Sequence, residues 1–214
     1  MKTPWPTKDV MNQIYDLHLW GGQDFDFYSG EGSHNTAITR PYLKAVITFL
    51  KSKQNNLTVC DLGCGDFNIG KDLVEYTQKY IAFDIVDSLI ERNKHLYKAD
   101  NLEFKCLDIS KDKLPHGDCI ILRQVLQHLS NAEIQEIVTQ LHNYKYILIT
   151  EHLPSGNFAP NVDIISGQGI RLKHKSGVDL CKAPFCLKIK KQENLSEITL
   201  DPKKGKIQTV LYTL

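Results

Sequence analysis

The chain has 214 residues, 42% of them hydrophobic and 24% charged, with a formal net charge of +1. That length suits one domain, and the balance is that of a globular core, which excludes a disordered polymer. The near-neutral charge lacks the excess of a nucleic-acid binder, and the clusters Lys188, Lys190, Lys191 and Lys203, Lys204, Lys206 read as a solvated hairpin surface.

Met1 to Val10 has no apolar core and carries Asp9 with two prolines, so it does not read as a signal peptide. No apolar run approaches the roughly 20 residues that span a bilayer. A cytoplasmic location without a membrane partner is the expectation. Among the six cysteines, Cys60, Cys106 and Cys119 fall in apolar runs that read as buried strands, where cysteine behaves as a small hydrophobe. No CxxC pair and no Cys/His quartet has zinc-ligand spacing, so no metal is expected and free thiols in a reducing compartment are.

In chain order, Val10, Ile14, Leu17 and Trp20 recur at helical spacing and predict an amphipathic helix over Thr7 to Trp20. A glycine- and aromatic-rich loop follows, Gly21 to His34, and then a helix over about Thr36 to Lys53. Leu57 to Leu62 reads as a buried strand, Ile69 to Lys79 as helix, Tyr80 to Ile85 as strand and Val86 to Tyr97 as helix. Leu102 to Leu107 and Asp118 to Leu122 are strands three and four, Ala132 to His142 a helix, and Tyr146 to Thr150 the fifth strand. This alternation implies βαβ units and a mostly parallel sheet with helices on both faces. Pro154 to Ala183 reads as irregular. Phe185 to Lys190 and Ile207 to Leu214 then predict an antiparallel hairpin at a sheet edge. The plan is an α/β single domain over 1–214. It comprises an N-terminal helix and lid loop (1–36), a cofactor-binding core (57–150) and a substrate-side loop with edge hairpin (151–214).

The sharpest motif is Asp61-Leu62-Gly63-Cys64-Gly65-Asp66, where a buried strand enters a glycine turn. Glycines there let backbone approach a ligand at the carboxyl end of the strands. The dinucleotide pattern GxGxxG fails, because its third glycine position is Asn68. The flanking carboxylates Asp61 and Asp66 suit a ligand with cationic groups better than a pyrophosphate. Asp84 ends the second strand about 20 residues on, placed to accept from ribose hydroxyls, with Ile85 beside it. Asp108 ends the third strand, where a carboxylate can accept from an exocyclic amine and Ile109 can cover a flat ring.

Asp61-Leu62-Gly63-Cys64-Gly65 with Asp84 and Leu107-Asp108 resembles the class I S-adenosylmethionine-dependent methyltransferases. The resemblance covers about Leu57 to Thr150, and the terminal strand pair is similar to the reversed edge hairpin of that Rossmann-like fold. It implies that Gly63 and Gly65 face the methionine part of S-adenosylmethionine, Asp84 the ribose and Asp108 the adenine, with S-adenosylhomocysteine as product. Phe27-Tyr28-Ser29-Gly30-Glu31-Gly32-Ser33 and Arg123-Gln124-Val125-Leu126-Gln127-His128-Leu129 resemble small bacterial members acting on sugars or other small molecules. The helix usually expected in the class I family between the fifth strand and the hairpin is not evident here.

Methyl transfer requires alignment and at most one proton removal. Past the fourth strand, Arg123 can hold an anionic group, Gln124 adjoins it, and His128 is a candidate base. His152, expected at the carboxyl end of the fifth strand, is the preferred candidate base, with Glu151 orienting it or binding substrate. Arg171 is a candidate to close over an anionic substrate, and Tyr28 and Ser33 are candidate lid contacts to the cofactor. The expected acceptor is a small molecule, such as a sugar or surface-glycan precursor. No Asn-Pro-Pro-Tyr-like tetrapeptide follows the fourth strand, so nothing asks for nucleic acid. Two other readings compete. A nicotinamide-dependent oxidoreductase is opposed by Asn68 and Asp108. A non-catalytic partner-binding protein is opposed by the intact glycine loop and its three strand-end acids.

Overall fold

The structure, a computed structural model, describes residues 4–201 and 204–214. The first three residues of the expected N-terminal segment, and Lys203 of the second lysine cluster, lie outside the described residues.

The chain opens with α1 (Thr7–Asp16), which buries Met11, Ile14 and Tyr15. The predicted helix is cut short because His18 takes a left-handed φ of 48° and Leu17 to Trp20 turn away. A short α2 (Glu31–His34) forms inside the glycine-rich loop. Asn35 then caps α3 (Thr36–Ser52), its side chain accepting from the Ala37 N–H. The alternating region supplies β1 (Thr58–Leu62), β2 (Lys79–Asp84), α4 (Asp87–Leu96), β3 (Leu102–Cys106) and β4 (Cys119–Arg123). It continues through α5 (Asn131–Leu141), started by a Ser130/Glu133 capping box, into β5 (Tyr146–Leu153). The chain closes with β6 (Lys191–Thr199) and β7 (Lys206–Thr213).

The seven strands form one sheet in the order β3-β2-β1-β4-β5-β7-β6. β1 to β5 pair in parallel, and β7 is antiparallel to both β5 and β6. The two-residue period of a strand sends alternate side chains to opposite faces. Cys60, Leu62, Ile120, Leu122, Ile147 and Ile149 pack with α5. Val59, Cys119, Ile121, Tyr146 and Leu148 pack with Tyr42, Val46, Phe49 and Leu50 of α3. Strand order reverses between β1 and β4, which opens a crevice over their carboxyl ends. No described helix is long and apolar enough to cross a membrane.

Three further predicted elements and the burial of one cysteine are corrected. The helix over Ile69 to Lys79 is instead two single 3₁₀ turns, Gly70–Asp72 and Val74–Tyr76. Phe67 sits at φ 62° and the chain must reach β2 by Lys79, so no α-helix has room. Phe185 to Lys190 is not a strand. Its Phe185, Leu187 and Ile189 pack on the core, but the residues that pair with β7 are the polar Lys191–Thr199. β5 continues past Thr150 to Leu153, because β7 pairs with it along its whole length. Cys106 is exposed, since β3 is an edge strand, whereas Cys60 and Cys119 are buried. Between β5 and β6 the only described helical turn is the 3₁₀ segment Arg171–His174.

Candidate active site

The site begins where β1 ends. Gly63 and Cys64 both donate their N–H to the Phe83 carbonyl at 2.8 Å, folding the glycine loop over the end of β2. Gly63 has φ +81° and Gly65 φ +57°, in the left-handed region that glycine occupies without a Cβ penalty. A Cβ at Gly63 would lie 2.5 Å from Val125 Cγ2, and one at Gly65 would lie 2.3 Å from Ser29 Oγ. Asp84 secures this loop from below: its carboxylate accepts the Gly65 N–H at 3.0 Å and the Val86 N–H at 3.1 Å. Burial raises the pKa of Asp84, and those two N–H donors oppose the rise. Asp108 accepts from the Ser110 N–H and hydroxyl and from Lys111 Nζ. Partial burial alone would raise its pKa, but the Ser110 and Lys111 hydrogen bonds outweigh burial and hold it below the usual carboxylate value. Ile85, Leu107 and Ile109 supply apolar wall beside these two acids.

On the far side of the glycine loop lies a second polar group of residues. Asp61 accepts from the Tyr80 hydroxyl at 2.8 Å, and burial pushes its carboxyl pKa up to about 7. Arg123, the last residue of β4, places its guanidinium carbon 4.8 Å from the Tyr42 ring centroid. It donates to Ser33 Oγ at 3.1 Å and to the Gly32 carbonyl at 2.5 Å. Tyr42 Oη and Arg123 Nε are buried without a hydrogen-bond partner, although both residues line the cavity. Buried polar atoms are nearly always paired, so these two await an anion or an acceptor group.

The glycine-rich loop before α3 forms the roof. Asp66 is its fastening point: it accepts from the Ser29 N–H at 2.9 Å, the His34 ring at 2.6 Å and the Asn68 N–H at 3.1 Å. Ser29 Oγ in return accepts the Asp66 N–H at 2.8 Å and bonds Tyr15 Oη at 3.0 Å. Ser33 lines the cavity, whereas Tyr28 does not: its ring stacks on His34 at 4.3 Å and fills the space beside Gly22. Asp66→Ala should therefore release the roof. Chymotrypsin cleavage after Trp20, Phe25, Phe27 or Tyr28 is expected to accelerate about tenfold, and unchanged cleavage would show that the fastening lies elsewhere.

Past β4, Gln124 turns the chain with φ 57° and lies against Gly32, where an added Cβ would meet its Oε1 at 2.2 Å. Gln127 and His128 lie in the 3₁₀ turn Leu126–His128. The Gln127 amide is oriented by the backbone, because its Oε1 accepts the His152 N–H at 3.2 Å. Its NH₂ group therefore faces His128 Nε2 at 3.2 Å and donates to it. The ring proton must then sit on Nδ1, which donates to the Gly167 carbonyl at 3.1 Å. Burial lowers the His128 pKa to about 4, and the ring lies 5.2 Å from that of Trp20. His128 lines the cavity as a neutral imidazole with both nitrogens engaged.

The remaining predicted residues stand outside the cavity. His152 is not at its strand's end but inside β5, and its Nε2 is held by the Lys204 carbonyl at 2.5 Å in the β6–β7 turn region. Glu151 points to the opposite face from His152. It is 2% exposed, neither oxygen has a hydrogen-bond partner, and burial pushes its pKa up to about 8. Arg171 is neither solvated nor free to close over a ligand. At 1% exposure it donates to the carbonyls of Val162, Leu126 and Leu129 and to Asn131 Oδ1, at 2.7–3.0 Å. It clamps the long loop after β5 onto the turn that carries His128.

Sequence reading missed Tyr42, Tyr80, Trp20, Gln168, Ile170 and Lys173 as cavity walls. Tyr42 had one available signal, an aromatic hydroxyl on the buried stripe of α3.

The cavity enclosed by these groups has a volume of about 430 Å³, within the range of small-ligand sites. Among the described residues, no group of three His, Cys, Asp or Glu side chains is placed to hold a metal ion. Residues 60–144 match a family model described as a methyltransferase domain. No curated protein sequence matches the chain. Among solved structures, NodS, an N-methyltransferase of Bradyrhizobium japonicum WM9 in complex with S-adenosyl-L-homocysteine, superposes with a TM-score of 0.65 at 9% identity, over 94% of this chain and 98% of that one. Magnesium protoporphyrin IX methyltransferase (ChlM) of Synechocystis PCC 6803 with bound SAM gives 0.61 at 14% identity, over 100% and 99% of the two chains. Human N-acetylserotonin methyltransferase in complex with SAM gives 0.61 at 17% identity, over 98% of this chain, which spans only 60% of the human protein's length. Residues 60–144 thus match a methyltransferase domain, in a chain whose fold is that of these solved methyltransferases.

Proposed function

We propose that the protein transfers a methyl group from S-adenosylmethionine to a small-molecule acceptor. The observation that carries this reading is the order of groups along one crevice. Asp108 at β3, Asp84 at β2, the Gly63/Gly65 loop at β1 and Arg123 at β4 line a single cavity in that sequence. The order matches a ligand with an adenine, a ribose, a cationic centre and an amino-acid end. Asp108, Ile85 and Ile109 hold the base, and Asp84 accepts from the ribose hydroxyls. The unpartnered Arg123 Nε and Tyr42 Oη receive the carboxylate of the amino-acid end, and Asp61 faces its ammonium.

When bound, the cofactor supplies a methyl carbon activated by a sulfonium. The chain's own task is to align the acceptor with that carbon and exclude water. The roof fastened by Asp66 does the second. The wall of Trp20, Gln127 and His128 does the first, with His128 acting as a neutral positioning group.

Calorimetric titration with S-adenosylmethionine and S-adenosylhomocysteine, beside NAD, tests this. Micromolar binding of both sulfur ligands and none of NAD is expected. Asp84→Ala should weaken it by about 100-fold and Arg123→Met by about tenfold, as charge-assisted hydrogen bonds are lost. A folded protein that binds neither sulfur ligand sinks the reading.

A further inference from the structure

Charge is segregated inside the cavity. Among the described residues that line it, the carboxylates are Asp61, Asp66, Asp84 and Asp108, all on or beside the ends of β1 to β3. Another part of the wall is built from Trp20, the turn through Gln124, Gln127 and His128, and Gln168, Gly169, Ile170 and Lys173. It presents an indole, the Ile170 side chain, three amides and a single cation, Lys173. Lys173 is exposed, and its Nζ has no ion pair or hydrogen bond among the described residues. A wall with a free cation and no carboxylate favours an anion and disfavours an ammonium, and the indole and Ile170 offer apolar cover to the rest of the ligand.

The same wall offers no proton sink. His128 Nε2 is occupied by the Gln127 amide and Nδ1 by the Gly167 carbonyl. His152 and Glu151 lie outside the cavity. An alcohol acceptor would have to lose its proton here without a base to take it, whereas an acceptor that arrives ionised needs none.

Resting on the methyl-transfer reading above, we propose that the acceptor is an organic acid with an apolar, planar body, methylated on its carboxylate oxygen. Lys173 pairs with the carboxylate of the bound acid, and Trp20 and Ile170 cover the body. The acid's oxygen forms the new O–C bond while the C–S bond breaks and its electron pair stays on sulfur. A carboxylate and a sulfonium become an ester and a thioether, and no proton moves.

The test has two arms on the intact chain. The protein is first saturated with S-adenosylhomocysteine, whose binding is itself measured. Benzoate, phenylacetate and cinnamate are then titrated against their primary amides, with wild type and Lys173→Gln. The acids should bind at least tenfold more tightly than the amides, and Lys173→Gln, at an exposed position, should remove that preference while leaving S-adenosylhomocysteine affinity unchanged. In the second arm, methyl-labelled S-adenosylmethionine with the acids should give a product that releases labelled methanol in alkali. No preference for acids over amides, or a preference that survives Lys173→Gln, overturns the proposal, as does an alkali-stable labelled product. Failure to bind S-adenosylhomocysteine at all is a separate result and removes the methyltransferase reading itself.

Discussion

Arg171→Met should lower the thermal midpoint by about 10 °C. The side chain is 1% exposed and makes four hydrogen bonds, three of them to main-chain carbonyls. Methionine fills similar volume but leaves the carbonyls of Val162, Leu126 and Leu129 without this donor. Removing one side of a buried charged network typically costs about 3–5 kcal/mol, and in a chain of this size each kcal/mol moves the midpoint by about 2–4 °C. Arg171→Lys should recover little of the loss, because an ammonium cannot span the same four acceptors from one planar fork. The functional consequence follows from what is clamped. The Leu126–His128 turn forms part of the cavity wall, so ligand affinity should fall with stability. Differential scanning calorimetry decides the matter: a shift below about 2 °C, or full rescue by lysine, would falsify the clamp.

The second large effect concerns Glu151 and depends on pH. Its carboxyl is buried and unpartnered, and its folded pKa of about 8 stands well above the ordinary value of 4.5. A raised folded pKa means stability that is fully present below pH 4.5 and is lost as pH climbs toward 8, since only the unfolded chain releases the proton in that window. The slope is about 1.4 kcal/mol per pH unit. Glu151→Gln removes the linkage. The variant should match wild type at pH 4.5 and exceed it at pH 8 by about 4 kcal/mol, a rise of roughly 8–16 °C in the midpoint. Thermal unfolding at both pH values is the measurement. A variant equally stable to wild type at pH 8 would mean that the carboxylate is ionised and solvated in the fold.

Much of this architecture is legible in the residues. The strands β1 to β5 announce themselves as apolar runs, and glycines at 63 and 65 mark the turn because no other residue fits its φ and its clearance from Val125 and Ser29. Asp84 and Asp108 are found by spacing, since strand ends in a parallel sheet recur at regular intervals. What hides is whatever depends on pairing or long-range contact. Phe185, Leu187 and Ile189 alternate like a strand because burial, not hydrogen bonding, sets their pattern. The true edge strand is polar and looks like loop. Arg171 reads as a surface charge because its four acceptors come from residues up to 45 positions away. His152 looks like a strand-end base because the length of β5 is set by β7, more than 50 residues later.

The edge formed by β6 has a consequence for how copies of this chain meet. Lys191, Glu193 and Glu197 stud the strand, and its ladder with β7 is broken by a register shift between Asn194 and Ser196. At the opposite border, β3 presents Glu103 and Lys105. Strand addition across either border would have to align charged side chains, and on the β6 side it would also meet a kinked row of N–H and C=O groups, which discourages open-ended stacking of sheets. The same sheet that exposes its strand ends to a ligand is thereby guarded along both flanks against polymerising.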